Sequence, residues 1–389
     1  MKRLGIVLAG LLAAAFIALF FVVPGPMIST AARVGQGMLF AEIDGRDAVI
    51  IAYDDNGYSG IGFFAPSHHD GRITALDLDT GETIWNRALD GEPAFLTRMI
   101  AAGEEFAYLE TTFGFRVIAL ADGSTVASEN DIPGLRDVDT LKTAFAFSPS
   151  QEAIFVNPEE GVVRKIVLDT LEAVDVDSRT YDTWSCVLAW NGHGYSEGDS
   201  EAVVVGRMPV ADEVRAFAVP SGSPPGTPGK RLTRLNRDGS GVTVGHETFV
   251  DPGFVAQSVL VEPIPQACPR ARWDDDVFPD GRVIAEPLGA ETGHAVIDHA
   301  QSARTDERQI TVVDAFSGEV LGSNPAEGGL VDAATAPSGQ GVVIIDRFLP
   351  GVLPNWSTTP VTSTLLLIST SGAVREIVLA PHGWLGLPW

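Results

Sequence analysis

The chain has 389 residues, 45% of them hydrophobic and 20% charged, with 26 basic side chains against 51 acidic ones and a formal charge of −25. A body this acidic repels a nucleic-acid backbone or an anionic lipid surface, which sets polyanion binding aside as its function. Its length would suit two or three ordinary domains, but a recurring turn motif points to a repeat architecture instead.

Lys2 and Arg3 precede Leu4–Val23, twenty residues without a charge or a proline. As a helix that run is long enough to cross the roughly 30 Å hydrocarbon core of a bilayer. The two N-terminal cations favour the cytoplasmic side, which places the remainder of the chain outside the cytoplasm, periplasmic or extracellular. The small residues Ser29-Thr30-Ala31-Ala32 offer a cleavage point, so the run reads either as an uncleaved single-pass anchor or as a signal segment whose removal would make the body a secreted one. Residues 1–26 are accordingly assigned to the anchor or signal, 27–34 to a linker and 35–389 to the folded body.

The most specific element comes next. Arg72–Leu89, RITALDLDTGETIWNRAL, compresses a strand, a tight turn and a return strand: Ile73, Ala75 and Leu76 lie in a β-favouring run, Asp79-Thr80-Gly81-Glu82 supplies the turn, and Ile84 and Trp85 open the second strand. The turn recurs in degraded form at Ala121–Ser124, Asp169–Glu172, Arg237–Ser240, Phe316–Glu319 and Thr370–Ala373, each flanked by β-rich runs with two further strand candidates upstream. The repeating unit is thus a four-stranded meander, with units at 35–90, 91–130, 131–179, 180–250, 251–326 and 327–381. An extra apolar run at Arg282–Pro287 leaves room for a seventh. Asn191–Ser200, Pro220–Gly229 and Ala267–Gly281 are polar or rich in Gly and Pro and read as surface loops.

Position by position, the first copy resembles the pyrroloquinoline-quinone-type repeat of the quinoprotein alcohol dehydrogenase-like superfamily, whose hairpin reads roughly apolar-x-A-L-D-x-x-T-G-x-x-x-W. The resemblance implies an all-β fold: a β-propeller of six, or seven, four-stranded antiparallel blades preceded by one N-terminal transmembrane helix. It also implies a docking role between adjacent blades for Trp85 and Gly81, with the smaller Val126, Val174 and Val320 in the equivalent places of other copies. Quinone-dependent members of the superfamily carry adjacent cysteines over the cofactor and a ligated Ca²⁺. The two cysteines here, Cys186 and Cys268, are far apart in sequence, and no such cofactor floor is recognisable.

In an oxidising compartment Cys186 and Cys268 form a disulfide candidate between the inner strand of unit four and a loop of unit five, with two separately buried thiols as the alternative. A bond would close a loop of about 80 residues, for roughly 4 kcal/mol of loop-closure entropy. His68-His69-Asp70 and His294 with Asp298-His299 hold possible metal ligands but lie in polar stretches that read as connecting turns. Asp274-Asp275-Asp276 and Asn236–Gly241 lack the spacing of a calcium loop, and Asn355-Trp356-Ser357 matters only where glycosylation machinery exists. No nucleophile elbow, P-loop or haem-attachment motif occurs. No residue is therefore assigned as catalytic, cofactor-binding or metal-binding, and no cofactor is expected. The function expected is a non-enzymatic binding or scaffold module of the cell envelope, with the membrane and a protein or envelope component as partners and no nucleic acid. The alternatives are a propeller hydrolase or lyase with its site at the central channel, and a small-molecule sensor. Histidines His193, His246, His294 and His299 gathered with aspartates at the channel would favour an enzyme; histidines dispersed around the rim would favour binding.

Overall fold

The computed structural model describes residues 29–58, 67–89, 94, 97–111, 114–135, 144–158, 162–191, 204–224, 226–236, 240–260, 282–305, 307–348 and 361–379. Leu4–Val23, His193, Cys268, Asp274–Asp276 and Asn355–Ser357 lie outside these residues. Among the described residues no helix is long and apolar enough to cross a membrane.

The fold is mostly β, built of antiparallel meanders labelled I to VI in chain order. Sheet I pairs Leu39–Ile43, Arg46–Tyr58, Ser67–Asp77 and Thr83–Ala88 in sequence, with Ser29–Val34 lying beside the far half of Arg46–Tyr58. Sheet II is Arg98–Ala102, Phe106–Thr111, Gly114–Ala119 and Thr125–Ser128. Sheet III is Ala144–Ser148, Ala153–Asn157, Arg164–Val167 and Ala173–Asp175. Sheet IV, Arg207–Val210, Glu213–Ala218, Gly229–Leu235 and Gly241–Thr243, is joined through Gly229 and Lys230 to Phe249–Leu260, the first strand of sheet V. Sheet V continues with His294–Ala300, Arg308–Asp314 and Val320–Ala326. Sheet VI is Gly329–Thr335, Gly341–Phe348, Val361–Ile368 and Val374–Val378.

Two expectations are adjusted here. Ser29–Val34, within the stretch assigned to a linker, is a strand of sheet I, because its small residues fit beside the second half of a strand twice the usual length. Arg282–Pro287, the candidate for a concealed seventh unit, pairs with Ala256–Leu260 of sheet V.

Sheets I, II, III, V and VI are covered on both faces, which is why central strands such as Arg46–Tyr58 and Gly341–Phe348 read as apolar runs rather than alternating ones. In Arg46–Tyr58, Ala48, Ile50 and Ala52 pack toward sheet II, whereas Val49, Ile51 and Tyr53 pack toward sheet VI. Val342 and Ile344 face sheet I, and Val343 and Ile345 face sheet V. Further cores join II to III through Tyr108, Phe115 and Phe145, and IV to V through Met208, Val210 and Leu232 against Phe254 and Ile297. The last sheet therefore packs on the first: Gln340 Nε2 donates to Asp79 Oδ1 at 2.6 Å, and Arg375 Nη1 donates to the Thr80 carbonyl.

The exception lies after sheet III, where a helix, Ser178–Asn191, covers the open face. Trp184 stacks on Phe155 with ring centroids 4.0 Å apart, and Val187 and Leu188 complete the contact. Asp177 starts the helix by accepting the Thr180 amide at 2.9 Å. Cys186 thus sits in a helix and not in an inner strand of unit four, and its pairing with Cys268 lies outside the described residues. The capping Asp177 and the apolar spacing of Tyr181, Trp184, Val187 and Leu188 are the helical signal that a strand reading of this stretch overlooks.

Candidate functional site

The repeating turn is held by one carboxylate. Asp77 Oδ1 accepts the amides of Asp79 and Thr80 at 2.9 and 2.8 Å, Gly81 takes φ of +72°, and its amide returns to the Asp77 carbonyl. Sheet V repeats the pattern with Asp314, which accepts from Phe316 and Ser317, and with Gly318 at +75°. Burial works against ionisation of both aspartates, but the hydrogen bonds at the turn outweigh it and hold the carboxyls below their ordinary range.

These turns also dock neighbouring sheets. Trp85 Nε1 donates to the Leu120 carbonyl at 2.7 Å, and the indole lies on Gly123, where a Cβ would stand 2.5 Å from Cε3. Ile377 of sheet VI covers Gly81 in the same manner, and Leu321 of sheet V covers Gly372. Val126, Val174 and Val320, the expected equivalents, are exposed instead. The same bulge interrupts the fourth strand of sheets I, II and V, so Trp85, four residues after Gly81, is matched in register by Ala127 and Gly322 and not by Val126 or Val320.

In an antiparallel meander the first and third turns lie at one end of the sheet, while the second turn and the link to the next sheet lie at the other. Among the described residues, the first end carries exposed carboxylates in five of the sheets: Asp44, Asp79 and Glu82; Glu104, Glu105 and Asp122; Glu152 and Glu172; Asp212; Glu291 and Glu319. Arg46, Arg87, Lys165, Arg234 and Arg375 stand near them, fewer than the eleven acids. At the opposite end Arg98 pairs with Glu110 at 2.6 Å, Arg116 with Glu129 at 3.2 Å, Arg164 with Asp175 at 3.1 Å and Arg308 with Asp298 at 2.9 Å, beside exposed acids such as Asp182 and Glu307 and the exposed Arg207 and Arg304. The turn end is thus an anionic surface, and the other end mixes ion pairs with exposed charges of both signs.

Among the described residues His294 and His299 do not converge. Both clusters expected in connecting turns lie in strands: His68 and His69 in Ser67–Asp77, opposite Gly57 and Asn56, and the other group in His294–Ala300. His294–Ala300 is buried along its whole length despite its polar residues. His294 and His299 stand at opposite ends of one strand, roughly 17 Å apart at the usual rise. The Nδ1–H of His294 donates to Thr292 Oγ1 at 3.1 Å, because that hydroxyl gives its own proton to the Gly289 carbonyl, and the far ring edge packs on Gly372. His299 donates from Nδ1 to the Ala300 carbonyl at 3.0 Å and accepts the Thr311 hydroxyl at Nε2 at 2.9 Å. Burial lowers the pKa of both, keeping them neutral. His246 is exposed. Among the described residues no three His, Cys, Asp or Glu side chains are grouped to hold a metal.

One half-buried carboxyl sits where sheet VI meets sheet I. Asp346 Oδ1 accepts the Ser363 hydroxyl at 2.8 Å, and Ser363 Oγ accepts the Val34 amide at 3.3 Å. Burial raises the Asp346 pKa above 3.8, opposed in part by Ser363 and Arg33. Its ionisation therefore weakens the fold: the contribution is fully favourable below the unfolded value and is lost as pH rises through the folded one. Asp346→Asn keeps the acceptor and removes the charge. Thermal melts should show the variant more stable than wild type at neutral pH, with the difference closing in acid; a difference independent of pH would refute the assignment.

No family model matches the chain, and no curated protein sequence matches it. Solved structures do. The AtxE2 isopeptidase aligns over 93% of this chain at 10% identity with a TM-score of 0.36, and this chain spans only 55% of that protein's length. The β-propeller domain of the Trilobed protease from Pyrococcus furiosus aligns over 90% of this chain and 85% of its own, at 10% identity and a TM-score of 0.22. BamB from Moraxella catarrhalis aligns over 92% of both chains at 12% identity and a TM-score of 0.19. The last two are β-propeller proteins.

Proposed function

We propose that the chain is a six-bladed propeller of the pyrroloquinoline-quinone-like type, one blade to each of sheets I–VI, held outside the cytoplasm by Leu4–Val23 as a membrane anchor. It acts as a non-enzymatic binding module of the cell envelope, and its anionic turn end recognises a cationic segment of another envelope component. The observation that carries this reading is the gathering of eleven exposed carboxylates on the turn end of five sheets, with few bases near them. Such a surface steers an oppositely charged partner and fixes its orientation more than it adds raw affinity. His294 and His299, buried among neighbouring strands, are held in packing roles, and His246 is exposed.

The test is a crosslinking pull-down from envelope extracts with the full chain and with a variant carrying Glu82→Gln, Glu104→Gln, Glu105→Gln and Glu319→Gln. These side chains are exposed, so the variant should melt as wild type does. Wild type is expected to retain a basic partner whose recovery falls as salt rises, and the variant to lose most of it. Equal recovery by both would refute the anionic face as the binding surface, and stable binding of added quinone with Ca²⁺ would refute the non-enzymatic reading.

A further inference from the structure

The strand that follows the apolar N-terminal run fixes how the ring would stand on a membrane. Ser29–Val34 runs antiparallel to Arg46–Tyr58, with Ser29 opposite Tyr58 and Val34 opposite Tyr53. Tyr58 ends the second strand of its sheet, so Ser29 emerges at the end of the ring that carries the second turns, away from the acidic ones. The strand is held on both edges. One edge pairs with sheet I; on the other, the amides of Ala32 and Val34 donate to Thr362 Oγ1 at 3.1 Å and Ser363 Oγ at 3.3 Å of sheet VI. Ala32 is fully buried. Cleavage within Ser29–Ala32 would strip the seam between the first and last sheets of its strand.

Residues 24–28 are all that separate Val23 from Ser29, six residue steps and a reach of at most roughly 22 Å. A central strand such as Gly341–Phe348 is itself about 26 Å long. The tether is thus shorter than the ring is tall and cannot carry the far end round to the bilayer.

We propose that the ring rests with the end of the second turns and inter-sheet links against the lipid headgroups, and that the acidic turn end points away from the membrane. This rests on the reading of Leu4–Val23 as an anchor, and it adds that the binding face is the membrane-distal one. The test places dansylalanine at Ala303, in the second turn of sheet V, or at Thr370, in the third turn of sheet VI, both exposed. The full chain is reconstituted in phosphatidylcholine vesicles with a phosphatidylglycerol minority and a headgroup spin-label quencher. The Ala303 probe should be quenched severalfold more strongly than the Thr370 probe. Equal quenching, or stronger quenching at Thr370, in a chain that floats with the vesicles overturns the orientation while leaving the anchor intact. A chain that does not float overturns the anchor reading and the orientation with it.

Discussion

Trp85→Ala is expected to cost about 3–5 kcal/mol, the range for truncating a buried large aromatic. Trp85 is 6% exposed and fills the seam between sheets I and II, so its loss opens a cavity that the backbone of the Gly123 turn cannot fill without leaving its positive-φ conformation. It also strands the Leu120 carbonyl, which receives the indole N–H at 2.7 Å. Trp85→Phe keeps most of the apolar contact and removes only the donor, for about 1–3 kcal/mol. Gly123→Ala attacks the same contact from the other side: a Cβ would stand 2.5 Å from the ring, on a residue at φ of +73°. Urea unfolding followed by circular dichroism measures all three, and a double-mutant cycle should show Trp85→Ala and Gly123→Ala to be far from additive. A Trp85→Ala loss below about 1 kcal/mol would mean that the seam is held by its aliphatic contacts alone.

The same residues mark how far the sequence could be read. The turns were legible because Gly81, Gly123, Gly318 and Gly372 all need positive φ, and that need leaves the same residue type at the same place in each copy. The meander boundaries followed, since a turn and three preceding β-rich runs define a unit. What lay beyond legibility depended on three dimensions. The helix Ser178–Asn191 fills a place where the repeat led one to expect a strand, and only its partner Phe155 explains why Trp184 faces inward. The anionic face was visible as an excess of acid but not as a surface, because its carboxylates come from turns scattered between Asp44 and Glu319. Antiparallel topology alone brings alternate turns to one end. The histidines misled in the opposite sense: polar neighbours suggested loops, whereas cross-strand pairing and packing on Gly372 gave His294 a structural place.

The third copy of the turn, Asp169-Thr170-Leu171-Glu172, has no glycine, and its answer to that loss supplies the second large effect. Asp169 takes the left-handed conformation at φ of +62°, which Asp tolerates better than most residues, and so aims its side chain at sheet II. There its carboxylate accepts the amides of Glu104, Glu105 and Phe106 at 2.8, 2.9 and 3.2 Å, against Gly103, which has no room for a Cβ. Its own amide donates to Tyr108 Oη at 2.7 Å, and burial of that phenol pushes the Tyr108 pKa up to about 12. Asp169→Ala should cost about 2–3 kcal/mol; hydrogen bonds to a charged group are worth about 1.5–3 kcal/mol each when fully buried, and water at this half-exposed turn replaces part of them. Asp169→Gly separates the two roles of the residue. If backbone strain dominated, glycine would be neutral or stabilising; if the carboxylate holds the seam, glycine is nearly as damaging as alanine and Asp169→Asn, which keeps one acceptor, is milder than either. We expect the second order, because three amides of the neighbouring sheet lose their acceptor in the glycine variant just as they do in the alanine one.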